Sequence, residues 1–141
     1  MRIVVDTNVF VGACLGKGPS SQVVENCLQR QYEPLMGAAL LAEYEDVLGR
    51  PKIFEGSRLA APERSRLLDI FLAHCRWTRV YFGWRPNLRD EGDNHLVELA
   101  VAGGAGFIVT HNIRHLKVME LSFPDLALAT PAQLLSKEPR R

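Results

Sequence analysis

Ile3-Val4-Val5-Asp6-Thr7-Asn8 stands at the start of the chain, and the fold turns on how it is read. Three β-branched residues in succession suit a strand covered on both faces, because a buried parallel strand is a continuous apolar run with no alternation. Asp6, Thr7 and Asn8 then supply short polar side chains that bond to neighbouring backbone, which suits a strand-to-helix turn. A buried first strand that turns at once toward a helix is the opening of an α/β protein.

Working outward, Val9 to Leu15 stays apolar until Gly16-Lys17-Gly18-Pro19-Ser20-Ser21 breaks the chain. Ser20 or Ser21 is expected to cap a helix through Val23, Val24, Cys27 and Leu28. Tyr32 to Met36 reads as a second strand ending at Gly37. Ala38 to Leu48 repeats Leu40, Leu41, Tyr44, Val47 and Leu48 at helical spacing, and Gly49-Arg50-Pro51 stops it. Ala61-Pro62-Glu63 starts another helix, whose Leu67, Leu68, Phe71 and Leu72 form an apolar stripe lasting to about Cys75. Val80-Tyr81-Phe82 is expected to be a short strand. Asp90 to Ala102 forms a further helix closed by Gly103-Gly104, followed by a strand at Phe107 to Thr110. Leu126 to Thr130 gives the last strand, before Pro131 and a short terminal helix. Strands separated by helices require crossover connections, and hence a three-layer α/β fold with a mostly parallel central sheet and helices on both faces.

The length of 141 residues allows one domain with its own core and not two of ordinary size. It is assigned to residues 1–135, with a basic tail at 136–141 that carries Lys137, Arg140 and Arg141. With 47% apolar and 23% charged residues the chain has an ordinary globular composition, which argues against disorder. Cys14, Cys27 and Cys75 are odd in number and lack the short Cys or His spacing of a zinc site, so they read as small buried side chains in a reducing compartment. The apolar run at the N-terminus is too short for a signal-peptide core, and no segment approaches the roughly 20 apolar residues that span a bilayer. The expected location is the cytoplasm, with no membrane partner. A net charge of +1 gives little long-range steering toward nucleic acid. Basic residues do cluster, at Arg50, Lys52, Arg58, Arg64 and Arg66 and again at Arg76, Arg79, Arg85 and Arg89, where a solvated surface is the alternative.

In an open parallel sheet, ligands bind beyond the carboxyl ends of the strands. Asp6 lies at that end of the first strand, and Asp90 and Asp93 begin the helix leading into the Phe107 strand, so three carboxylates can converge at one edge. At about 100° per residue, Asp93 shares the apolar face of Leu96, Val97 and Ala100. An inward carboxylate needs a partner, and a bound cation supplies one for a whole cluster. The competing reading makes Asp90 an N-cap and Asp93 its capping-box partner. On the Ala38 to Leu48 helix, Asp46 falls on the solvent side, while Glu43 and Glu45 both flank the apolar stripe and periodicity does not separate them.

Taken in order along the chain, these pieces resemble the PIN-domain family. Ile3 to Phe10 is similar to its opening strand and first acidic residue, and Leu41-Ala42-Glu43-Tyr44-Glu45-Asp46-Val47-Leu48 to its acidic helix. Arg89-Asp90-Glu91-Gly92-Asp93-Asn94 resembles its paired acidic motif, and Phe107-Ile108-Val109-Thr110-His111-Asn112 the strand that follows. The resemblance spans Arg2 to about Leu135 and selects Glu43 over Glu45. It implies a PIN-like fold and a catalytic set of Asp6, Glu43, Asp90 and Asp93. Asp6, Asp90 and Asp93 would contact Mg2+ or Mn2+, with Thr7, Asn8 and Asn112 in support. The subgroup it most resembles comprises the toxin halves of toxin–antitoxin pairs. That implies a metal-dependent ribonuclease acting on RNA, a cognate antitoxin and a homodimer. Many family members carry a further acidic residue where Asn112 stands, and an amide adds no charge toward a second metal.

The implied chemistry is phosphodiester hydrolysis, with hard cations holding the nucleophile and neutralising charge on the leaving oxygen. Glu43 would orient or deprotonate the water. His111 and His115 suggest instead contact with the phosphate backbone or plain exposure. Trp77, Trp84, Tyr81 and Phe82 suggest core or interface packing before base stacking. The rival reading is a catalytically weak RNA-binding or partner-binding module, motivated by Asn112. A phosphoacceptor signalling domain would need a Lys after the last strand, which is absent near Leu126 to Thr130.

Overall fold

The computed structural model describes residues 1–80, 94–116, 123 and 125–136, with only the backbone for Asn94, His115 and Leu116. Asp90, Asp93, Tyr81, Phe82, Trp84, Arg85, Arg89 and the basic tail from Lys137 onward lie outside the described residues.

The opening run forms β1 (Arg2–Val5), with Ile3, Val4 and Val5 sealed from solvent. Asp6 ends it in an extended conformation and accepts a hydrogen bond from the Thr7 backbone N–H, 2.8 Å away, as the N-cap of α1 (Thr7–Leu15). The chain continues through α2 (Pro19–Leu28), β2 (Glu33–Met36), α3 (Ala38–Leu48), a 3-10 turn (Pro51–Phe54), α4 (Ala61–His74) and β3 (Arg76–Trp77). Then follow α5 (Asn94–Gly103), β4 (Phe107–Val109), α6 (Ile113–Leu116), β5 (Ala127–Ala129) and α7 (Pro131–Ser136).

The described strands form one all-parallel sheet in the order β3-β2-β1-β4-β5. From β1 the chain moves outward to β2 and β3 on one side, then returns to β4 and β5 on the other. Right-handed crossovers therefore put the connecting helices α1 to α4 and the connecting helix α5 on opposite faces, while α7, after the last strand, packs against α2. α5 packs on β1, β2 and β4, while α4 meets β2. Ligand crevices open where such an order reverses, here between the carboxyl ends of β1 and β4.

Two expectations are corrected. Neither Ser20 nor Ser21 caps α2: the cap is Gly18, with no side-chain bond, and Pro19 takes the first helical position. Proline's fixed φ and missing N–H suit that position, which leaves the serines inside the helix. The strand after α4 pairs at Arg76–Trp77, opposite Leu35 and Met36, and the Thr78 N–H donates to Met36 O at 2.8 Å. Val80, expected to begin that strand, is exposed and outside any strand. An edge strand of two exposed residues needs no apolar pattern, which is why it was not read from the sequence; Tyr81 and Phe82, the rest of the strand expected from Val80, lie outside the described residues. Trp77 is likewise 58% exposed and not in the core.

The core side of the site is built from rings. Phe10, Tyr44 and Phe71 bring α1, α3 and α4 together with centroids 5.2 to 6.1 Å apart. The Tyr44 hydroxyl donates to Val5 O at 2.7 Å, so α3 is fixed against the last residue of β1. Part of the first basic cluster has structural partners: Arg58 donates to Ala13 O, and the Arg64 guanidinium lies 4.0 Å over the Phe54 ring. The cysteines are free, Cys14 and Cys27 buried and Cys75 partly so. Burial pushes the thiols up, Cys14 to about 11 and Cys75 to about 12, which keeps them neutral and unreactive.

Candidate metal and nuclease site

The crevice at the β1–β4 switch point is a cavity of about 320 Å³ lined by Asp6, Thr7, Asn8, Val11, Glu43, Val47, Ile53 and Asn112. Its polar wall comes from the turn after β1, the middle of α3 and the end of β4. Its apolar wall comes from α1, α3 and the 3-10 turn.

Asp6 is only 7% exposed, and its carboxylate is held from several sides. Oδ1 accepts from the Thr7 N–H, and Oδ2 accepts from the Thr110 hydroxyl at 2.7 Å and from Asn8 Nδ2 at 3.4 Å. The Asp6 N–H donates to Val109 O at 2.9 Å, which ties the turn to β4. Thr110, wholly buried, also accepts from the Asn112 N–H at 3.0 Å. One hydroxyl therefore joins the acidic turn after β1 to the amide-bearing turn after β4.

Glu43 faces the crevice with its side chain 38% exposed. Both carboxylate oxygens are engaged: Oε1 accepts from the Thr7 hydroxyl at 2.6 Å, and Oε2 lies 2.8 Å from His95 Nε2. These bonds hold its carboxyl below the ordinary value of 4.5, His95 contributing most and burial opposing it. Glu45 and Asp46 are exposed, and Asp46 pairs with Arg50. The tie that periodicity left between Glu43 and Glu45 is thus a matter of α3's rotation: Tyr44, pinned to β1, turns Glu43 toward Asp6 and Glu45 away.

Asp6, Thr7, Asn8, Glu43 and Asn112 therefore come together. Asp90 and Asp93 lie outside the described residues, though α5, the helix that follows them, begins beside the crevice with His95. Sequence reasoning missed His95 as a partner of Glu43. The only signal was its place in the first turn of α5, two residues after Asp93 in sequence, and helical periodicity assigns faces, not contacts. His111 projects away from the carboxylates: its Nε2 meets Ser20 Oγ at 3.0 Å and its backbone N–H donates to Asn8 Oδ1 at 3.3 Å.

Oxygen donors of this kind fit a hard divalent cation. Asp6 and Glu43 offer carboxylates, and Asn8 and Asn112 bring side-chain amides to the same crevice. Among the described residues no group of three His, Cys, Asp or Glu completes such a site. A full acidic shell depends on residues beyond them.

A parallel sheet whose strand order reverses at a crevice lined by Asp6 and Glu43 defines a doubly wound α/β protein. Residues 2–114 match the family model of the PIN domain, which is most of the chain, and the protein belongs to the PIN-domain family. Among solved structures, a similar one is a chain of the crystal structure of VapBC2 from Rickettsia felis bound to a DNA fragment from their promoter. The TM-score is 0.57 at 18% identity, covering 92% of this chain and 98% of that one, a likeness of fold. No curated protein matches by sequence. Among the described residues no helix is long and apolar enough to cross a membrane.

Proposed function

We propose that the protein is a Mg2+- or Mn2+-dependent ribonuclease, the toxin of a toxin–antitoxin pair. The observation that supports this most is the convergence of Asp6 and Glu43, from β1 and α3, on one oxygen-lined crevice at the switch point. Membership of a family of nucleases supports hydrolysis of a phosphodiester. The acidic set is Asp6, Glu43, Asp90 and Asp93, with Asp6, Asp90 and Asp93 as the metal contacts.

A cation held there would neutralise charge at the phosphate and lower the pKa of a bound water. The chain's own residues do the rest. Asp6 arrives already oriented by Thr7, Asn8 and Thr110, so little side-chain freedom remains to be lost on binding. Glu43 orients the attacking water through the second lone pair that each of its oxygens keeps. Its lowered pKa makes it a weak proton acceptor at neutral pH, since a general base works best with a pKa near the working pH. Orientation is therefore its main task, and Thr7 supports it. Asn112 adds an amide at the crevice and no charge.

The antitoxin partner is supported by the resemblance to the toxin halves of toxin–antitoxin pairs and by the fold shared with a chain of the VapBC2 structure. The homodimer rests on the same resemblance, and the cytoplasmic location on the free cysteines. The second reading, a binding module with slow turnover, draws on Asn112, which lines the crevice where many relatives carry an acid.

Cleavage of a single-stranded RNA, followed on gels with Mn2+ or with EDTA, tests the reading. The protein should cut only with the metal. Asp6→Asn, which keeps a good helix cap but removes the charge, should lower the rate by about 100-fold or more. Cutting that survives EDTA, or an Asp6→Asn variant as active as the parent, contradicts it.

A further inference from the structure

His95 lies outside the acidic set, yet it makes the contact that most affects Glu43. It stands in the first turn of α5, one helix from the β1 turn, and its side chain is only 21% exposed. Its Nδ1 is buried and has no hydrogen-bond partner among the described residues. Desolvating an unpaired ring nitrogen is unfavourable, so the bond that offsets it is the 2.8 Å contact from Nε2 to Glu43 Oε2. A side chain placed only to fill space would not leave one nitrogen stranded and aim the other at a carboxylate.

Thr7 and His95 approach Glu43 from different elements, α1 and α5, and take one oxygen each. A glutamate has three rotatable side-chain bonds, and two donors from two rigid helices stop it from turning about them. α5 also follows Asp90 and Asp93 in sequence, so His95 stands two residues after the acidic pair that the resemblance assigns to the site.

We propose that His95 is a positioning residue: its Nε2–H, together with the Thr7 hydroxyl, fixes the Glu43 carboxylate toward the crevice, so that Glu43 acts on water and not as a freely rotating metal ligand. The inference rests on the nuclease reading for its kinetic consequence, but the contact itself is tested separately. In this arrangement Nε2 bears the hydrogen that Glu43 Oε2 accepts.

Long-range 1H–15N NMR of the metal-free full chain reads this directly. The His95 spectrum should have the Nε2–H pattern, and Glu43→Ala should shift it while Glu45→Ala should not. A His95 signal indifferent to Glu43→Ala overturns the proposal whatever the activity. With the contact established, kinetics with Mn2+ and RNA give the second readout. His95→Ala should lower kcat by about tenfold or more with KM changed by less than about threefold, the pattern of an interaction needed in the transition state. Its Mn2+ affinity by calorimetry should stay within about threefold, because the metal contacts are elsewhere. His95→Gln, whose amide can place an N–H near the Nε2 position, should recover most of kcat. Equal kcat in parent and His95→Ala overturns the positioning role, as does equal loss in His95→Gln and His95→Ala. If the parent cuts no RNA while the NMR contact holds, the nuclease reading fails and the Glu43 contact stands alone.

Discussion

At the scale of single residues, the crevice is a set of carboxylates whose bonds leave them little choice of direction. Asp6 is gripped by one backbone N–H and two side chains, and Glu43 by a hydroxyl and an imidazole. The pH response follows from Glu43. Its pKa is lower folded than its ordinary 4.5, so its contribution to stability is complete above that value and is lost as pH falls through the lowered one. The gap in Tm between the parent and Glu43→Gln should therefore be widest near pH 7 and narrow on acidification below 4.5. A gap as wide at pH 3 as at pH 7 would contradict the assignment. The residue scale is also where the sequence told least. Asp6 stood out because it interrupts a β-branched strand, but nothing in the spacing of His95 pointed to α3, because contacts between distant segments depend on how helices rotate against the sheet.

At the scale of elements, legibility tracked burial. β1, β4 and α3 could be read because each is a continuous apolar run or stripe pressed on the core, where the hydrophobic pattern is the cause of the element. β3 could not, since two exposed edge residues leave no pattern, and α2 began earlier than its serines suggested because proline outweighed them. Close packing between elements yields a sharp prediction at Gly103. A Cβ there would fall 2.3 Å from Leu35 Cδ1, and Leu35 is 1% exposed, so it has no room to move aside. Gly103→Ala gains helix propensity of up to about 1 kcal/mol. It should lose more, about 1–3 kcal/mol, to overpacking against β2. Thermal unfolding should move down by a few degrees; an unchanged or raised Tm would show that α5 and β2 are less tightly joined than this.

At the scale of the whole molecule, the order of the strands does what no single motif does: it brings the turn after β1 beside the turn after β4 and sets α3 over both. The alternation of strands and helices made a parallel α/β sheet legible. The strand order, and so the location of the switch point, was not, because it depends on long-range pairing. The proposed nuclease chemistry requires the crevice to hold divalent metal between Asp6 and the acidic pair of Asp90 and Asp93. A crystal soaked in MnCl2 and measured at the manganese absorption edge tests it most directly. An anomalous peak is expected about 2 Å from the Asp6 carboxylate, shared with Asp90 or Asp93. A crevice without a peak at saturating manganese, or peaks confined to other surfaces, would contradict it.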